Sequence, residues 1–197
     1  MAPDERRAAL IAATIPLLRE HGLDVTTRQI AQAAGVAEGT IFGVFPDKTS
    51  LMHAALAEAL APAHGAADLA GIDPADDLRT RLCTAAALLQ RGFVENAALF
   101  AALRTMAFTT PDNDLRARML AGRERAVATL SALIEPDRAR LRREPADVAG
   151  FLLLLVAATS HGAFGGNDRS SPDELVSILL DGLLIRSNEN LGGAVRC

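Results

Sequence analysis

A chain of 197 residues, half of them hydrophobic, has apolar surface enough for a sizeable core, and its length suits a small domain beside a larger one. Alanine is abundant, the residues strands favour are scarce, and Trp and Tyr are absent, which points to an all-α chain of about nine helices. The formal net charge of −4 excludes a uniformly basic nucleic-acid binder, so any contact with phosphates must rest on where individual cations stand.

Helix one is expected from about Asp4 to His21, with Leu10, Ile11, Ile15, Leu17 and Leu18 on its apolar side. Pro16 in its interior removes a hydrogen bond and should kink it. Arg6 and Arg7 before the apolar run from Ala8 to Leu18 loosely suggest a secretory leader. Asp4 and Glu5 spoil the basic region and no clear cleavage site follows, so a surface helix is the better reading.

The stretch 26–48, TTRQIAQAAGVAEGTIFGVFPDK, is the most informative in the chain. Thr26 can N-cap a second helix, and Gln29 three residues on completes a capping box. Ile30 and either Ala33 or Ala34 share one face. Gly35 stands where a helix end needs a left-handed backbone, and Val36 then points inward. A third helix is expected from about Ala37 through Phe45, stopped by Pro46, with Ile41 anchoring it from beneath. Two short helices around a glycine corner form a helix-turn-helix, whose second helix enters the major groove. Helix four should start near Asp47 and run to about Leu60, carrying Leu51, Met52, Ala55 and Leu56. A Pro/Gly-rich connection follows over residues 62–74.

Asp73 and Pro74 predict the start of helix five, ending near Gly92; helix six is expected from Asn96 to Phe108, and helix seven from the 109–112 corner to Ile134. Pro145 opens helix eight, about 146–163, whose residues from Val148 to Ala158 are almost all apolar. That run is far short of the ~18 to 20 residues a bilayer requires, so no membrane span is expected. Ser171, Pro172, Asp173 and Glu174 make a good start for helix nine, about 172–186. It carries more apolar residues than one core-facing stripe needs, and helix eight must be covered all round. Packing both against their copies in a second subunit would bury the excess as a four-helix bundle. Cys83 and Cys197 form no disulfide framework, which suits a reducing cytoplasm.

The segment from Ala9 to Leu60 resembles the N-terminal domain of the tetracycline-repressor (TetR) family of bacterial transcription regulators. The likeness rests on Gly22, Thr26, Ile30, Ala31, Ala34, Gly35, Val36, Gly39, Thr40, Ile41, Phe42, Phe45, Lys48 and Leu51 in register, within roughly the first 60 residues. The resemblance implies a helix-turn-helix domain over 1–48 with helix four (47–61) as connector, and a ligand-binding and dimerisation domain over 49–197. It implies a homodimer through helices eight and nine, a double-stranded operator as partner, and a small-molecule effector that releases a repressor. The alternative is a helical ligand-binding or scaffolding protein of the same fold with weakened or lost DNA binding.

The expected DNA-contacting residues are Thr26, Thr27, Arg28, Ala37, Glu38, Gly39, Thr40, Phe42, Gly43 and Lys48. Arg28 could fork onto a guanine edge unless it pairs with Asp24. Thr40 can hold a phosphate or touch a thymine methyl. Phe42 keeps an apolar surface where relatives commonly have Tyr, and Lys48 sits where the family places a phosphate contact. Gly43, Val44 and Glu38 depart from the family pattern; Glu38 repels phosphate unless it accepts a cytosine amino proton. Residues 1–60 hold five basic and seven acidic side chains, so a weak or salt-sensitive operator complex is expected.

In the larger domain, Leu89, Phe93, Phe100, Leu103, Met106, Phe108, Met119, Phe151 and Leu155 are the candidate lining of an apolar effector pocket, with plain core packing as the alternative. Arg104, Arg123 and His161 could meet one polar end of the effector, and Arg104 amid apolar neighbours needs a partner if buried. The four histidines show no metal-ligand spacing, and no nucleophile elbow, phosphate loop or dinucleotide fingerprint is present. No enzyme activity, metal or cofactor is expected.

Overall fold

The computed structural model describes residues 3–60, 69–110, 112–160 and 170–183. Among these residues the chain forms nine α-helices and two 3-10 segments, with no β-sheet. In chain order they are α1 (Pro3–His21), α2 (Thr27–Ala34), α3 (Glu38–Phe42), α4 (Lys48–Leu60), α5 (Leu78–Glu95), α6 (Ala97–Thr109), α7 (Asn113–Ile134), α8 (Pro145–Ser160) and α9 (Pro172–Leu183). The 3-10 segments are Gly22–Asp24 and Glu135–Arg140.

Short polar side chains start the helices where the sequence offers them. Thr26 Oγ1 accepts from Gln29 N at 3.2 Å while Thr26 N donates to Gln29 Oε1 at 2.8 Å, the reciprocal box that begins α2. Asp47 accepts from Ser50 N ahead of α4, and Asp112 from Leu115 N ahead of α7, both at 2.7 Å. Ser171 and Glu174 exchange a second reciprocal pair at the start of α9. The helical assignment of α1 runs on through Pro16, and Thr14 Oγ1 donates to Leu10 O within it.

Three boundaries differ from the expectation, one of them the end of α5, which runs past Gly92 to Glu95. α5 begins at Leu78 rather than at Asp73–Pro74, because Asp73 folds back to accept from Ala75 N in a local turn and Asp77 provides the cap, accepting from Thr80 N at 3.1 Å. The third helix is shorter than the expected Ala37–Phe45. Gly43 offers little helix propensity, and tightened bonds from Gly43 N and Val44 N to the carbonyls of Thr40 and Ile41 close it.

Buried side chains gather in two clusters. One joins α1–α4 to the inner faces of α6 and α7, with Leu10, Leu18, Ile30, Ile41, Phe45, Leu51 and Leu56 beside Leu99, Met106 and Leu115. The other holds α5, the C-terminal half of α7, α8 and α9 together, around Leu82, Leu89, Leu130, Leu152 and Val176. α8 packs between α5 and α7, and α9 lies on α5 and α8. α1 and the 22–24 turn rest on α6, while α4 touches both α6 and α7. The head (α1–α4) is therefore seated on α6 and α7, and Arg19 Nη2 donating to Asn96 Oδ1 at 3.3 Å adds a polar tie at the α5–α6 junction.

Candidate nucleic-acid interface

The corner between α2 and α3 is set by Gly35, whose φ of 66° lies in the left-handed region. From there its N–H reaches Gln32 O while Val36 N–H reaches Ala31 O at 3.0 Å, closing α2. Ile30, Ala31 and Ile41 are buried, and Ala34 rather than Ala33 packs against the same cluster. With Ile41 pinned beneath, α3 turns Glu38, Gly39 and Phe42 outward. Thr40 is half-buried. Ala37 caps α3 through its backbone alone, leaving the first N–H groups of that helix open.

The cations near this face are few. Arg28 is exposed and makes no ion pair among the described residues, with Asp24 or otherwise. Lys48 Nζ donates to Leu23 O at 3.1 Å, so it braces the 22–24 turn and keeps two remaining N–H donors for another acceptor. Arg7 lays its guanidinium over the Phe45 ring, 4.3 Å from the centroid. Thr27 Oγ1 donates to Glu38 Oε1, tying the starts of α2 and α3 together. Thr26 is engaged in its own cap and Gly43 presents no side chain. The Asp47 carboxyl is held below the usual carboxylate range, chiefly by hydrogen bonds from Ser50.

The fold divides the candidate pocket residues among separate places. Leu103, Met106 and Met119 line a cavity of about 350 Å³ with Ala107, Leu115, Thr110, Asn113, Arg116, His53 and Asp112. Leu89 and Phe93 are buried in the other cluster, where Phe93 meets Phe100 at 5.1 Å between ring centroids and Leu155 packs alongside. Phe100 touches both clusters. Phe108 is 90 % exposed and Phe151 45 % exposed, so neither lines an internal space within one chain. Arg104 and Arg123 are exposed, so Arg104 does not need the partner that a buried charge would require. His161 lies outside the described residues.

Two polar residues singled out by the structure were missed by sequence reasoning. His53 is buried on α4; its Nδ1 stands 3.3 Å from Asp112 Oδ2 and its Nε2 3.4 Å from Thr110 Oγ1, and all three residues line the 350 Å³ cavity. Arg81 is only 2 % exposed: it pairs with Asp137 and donates to Pro74 O at 3.0 Å, binding the 73–77 turn to the 135–140 segment. Both stand in register with apolar neighbours on their helices, Met52 and Leu56 in one case, Leu78 and Leu82 in the other. That was the available signal.

Comparison with known proteins agrees with this architecture. Residues 10–55 match the family model described as bacterial regulatory proteins, tetR family. No curated protein matches the chain. Among solved structures, one assigned to the TetR family of transcriptional regulators, from Mesorhizobium loti MAFF303099, is 19 % identical with a TM-score of 0.70, over 94 % of this chain and all of that one. A transcriptional regulator from Rhodococcus sp. Rha1 is 22 % identical with a TM-score of 0.68, over 95 % and 100 % of the two chains. A TetR transcription regulator from Haloarcula marismortui ATCC 43049 is 23 % identical with a TM-score of 0.67, over 92 % and 100 %. No helix among the described residues is long and apolar enough to cross a membrane. The head thus carries the sequence of the tetR family of bacterial regulatory proteins, and the chain as a whole carries the fold of that family's solved regulators.

Proposed function

We propose that this chain is a homodimeric, ligand-responsive regulator that binds double-stranded DNA in the cytoplasm, acts as a repressor rather than an enzyme, and leaves its operator when a small hydrophobic effector binds. The observation that carries this reading is the exposed outer face of α3, held by buried Ile41 behind a glycine corner within the matched segment 10–55. Arg28, the open N–H groups at the start of α3, Thr40 and the free donors of Lys48 are the groups on that face suited to bases and phosphates. Domain limits near residue 48, with α4 as the connector, follow the same reading.

Dimerisation is supported by apolar residues that one chain leaves uncovered. Leu154 on α8 and Ile178 on α9 are 64 % and 65 % exposed, and Phe151, three residues before Leu154 on α8, is 45 % exposed. Pairing α8 and α9 with their copies would cover these side chains. It would also present two α3 helices to successive major grooves, roughly 34–36 Å apart or a further turn away. The 350 Å³ cavity is the proposed effector site, since Leu103, Met106 and Met119 give it an apolar wall while His53 places it against α4. An effector that prefers the dimer state with wrongly spaced heads shifts the population away from DNA.

Binding-site selection from random duplexes with the purified protein tests the reading. A roughly palindromic consensus is the expected result, with affinity falling steeply as salt rises. Selection that enriches no sequence at low ionic strength would leave a helical ligand-binding protein of the same fold.

A further inference from the structure

We propose that Glu38 is a base-reading residue, specific for the amino group of a cytosine in each half-site, and that Thr27 holds it in position for that contact. The inference rests on the DNA-binding reading above and names what that face reads. α3 has very little side-chain chemistry to offer. Ile41 is buried, and Gly39 and Gly43 carry no side chain although a Cβ at either would meet no steric obstacle. Thr40 is half-buried and Phe42 has only an apolar ring. Glu38 is therefore the one side chain of α3 with a strong, outward hydrogen-bonding group.

Its carboxylate is tethered at one oxygen. Thr27 Oγ1 donates to Glu38 Oε1 across the corner, which leaves Oε2 and the second lone pair of Oε1 available. A carboxylate can only accept, and in the major groove cytosine N4 is a donor that carboxylates match, whereas guanine N7 and O6 are acceptors that repel one. Arg28, on the adjoining helix, has the opposite preference and suits guanine edges, so the two together would favour G·C pairs at the centre of contact.

Selection with full-length wild type, Glu38→Gln and Glu38→Ala tests the proposal, with melting temperatures confirming that each variant is folded. Gln keeps an oxygen for Thr27 while gaining the amide that pairs with adenine N6 and N7. Wild type should enrich cytosine at one symmetric position, Glu38→Gln should move that position alone to adenine, and Glu38→Ala should reduce its discrimination by roughly fivefold or more. Variants that bind all sequences more tightly with an unchanged consensus would show Glu38 acting only by repelling phosphate, and would overturn the proposal. A wild type with no consensus at all would instead remove the DNA-binding reading on which it stands.

Discussion

His53 on α4 and Asp112 at the start of α7 stand 3.3 Å apart, imidazole Nδ1 to carboxylate, and join those two helices. Asp112 also caps α7 through Leu115 N, so one residue both begins the helix and receives the clasp. His53→Ala and Asp112→Ala should each lower stability, Asp112→Ala by about 0.5–2 kcal/mol for the cap alone. In a double-mutant cycle read by urea unfolding, a coupling of ~0.5 kcal/mol or more is expected; additive effects would mean the clasp contributes nothing.

Arg81→Ala leaves Asp137, which is mostly buried, with only its exposed partner Arg140. Removing one member of a buried pair costs about 3–5 kcal/mol. In a chain of this size 1 kcal/mol moves the melting temperature by about 2–4 °C, so calorimetry should record a fall of roughly 6 °C or more.

Charged substitutions on the uncovered apolar face should separate assembly from folding. Leu154→Arg and Ile178→Glu place charges on side chains already 64 % and 65 % exposed, so far-UV circular dichroism should stay helical. Sedimentation should move to the monomer, and operator affinity should drop because each head then binds a half-site alone.

Acid sensitivity follows from the caps. The Asp77 carboxyl lies below its usual range, first through the hydrogen bond from the Thr80 hydroxyl and then through Thr80 N–H. A depressed folded value means that its contribution is fully present above the ordinary aspartate range, about 3.9, and is lost as pH falls through the folded value. Asp77→Asn, which still caps but carries no charge, should melt somewhat below wild type at pH 7 and show a shallower decline between about pH 5 and 2, so that the two converge in acid.

Filling the cavity tests its role as the effector site. Leu103→Trp adds bulk to the apolar wall beside Met106 and Met119. The variant should bind operator as wild type does while an effector found for the wild type no longer releases it. Retained release, measured by fluorescence anisotropy, would move the effector elsewhere.

What the sequence made legible was local. Thr26, Gln29 and Gly35 act within a few residues of one another, so the cap and the corner could be read directly, as could Ser171 and Glu174 at α9. Asp73 misled because its side chain had two nearby backbone groups to satisfy, a turn or a helix start, and the choice went to Asp77. The direction faced by α6 was not legible. Its sequence is apolar nearly all round, and only packing on α1 and α4 decides that Leu99, Ala102 and Met106 turn inward while Arg104 and Phe108 meet water. The partners of His53 and Arg81 lie 59 and 56 residues away along the chain, beyond the reach of any local pattern.

Lys48 is the sole lysine in the sequence, and its ammonium is bonded to the carbonyl of Leu23. Amine-directed acylation therefore has a single side-chain target, and modifying it would erase a positive charge while freeing the 22–24 turn. A mild acetylating reagent thus serves as a footprinting tool: slow reaction reports a seated ammonium, and faster reaction reports that this turn has come loose.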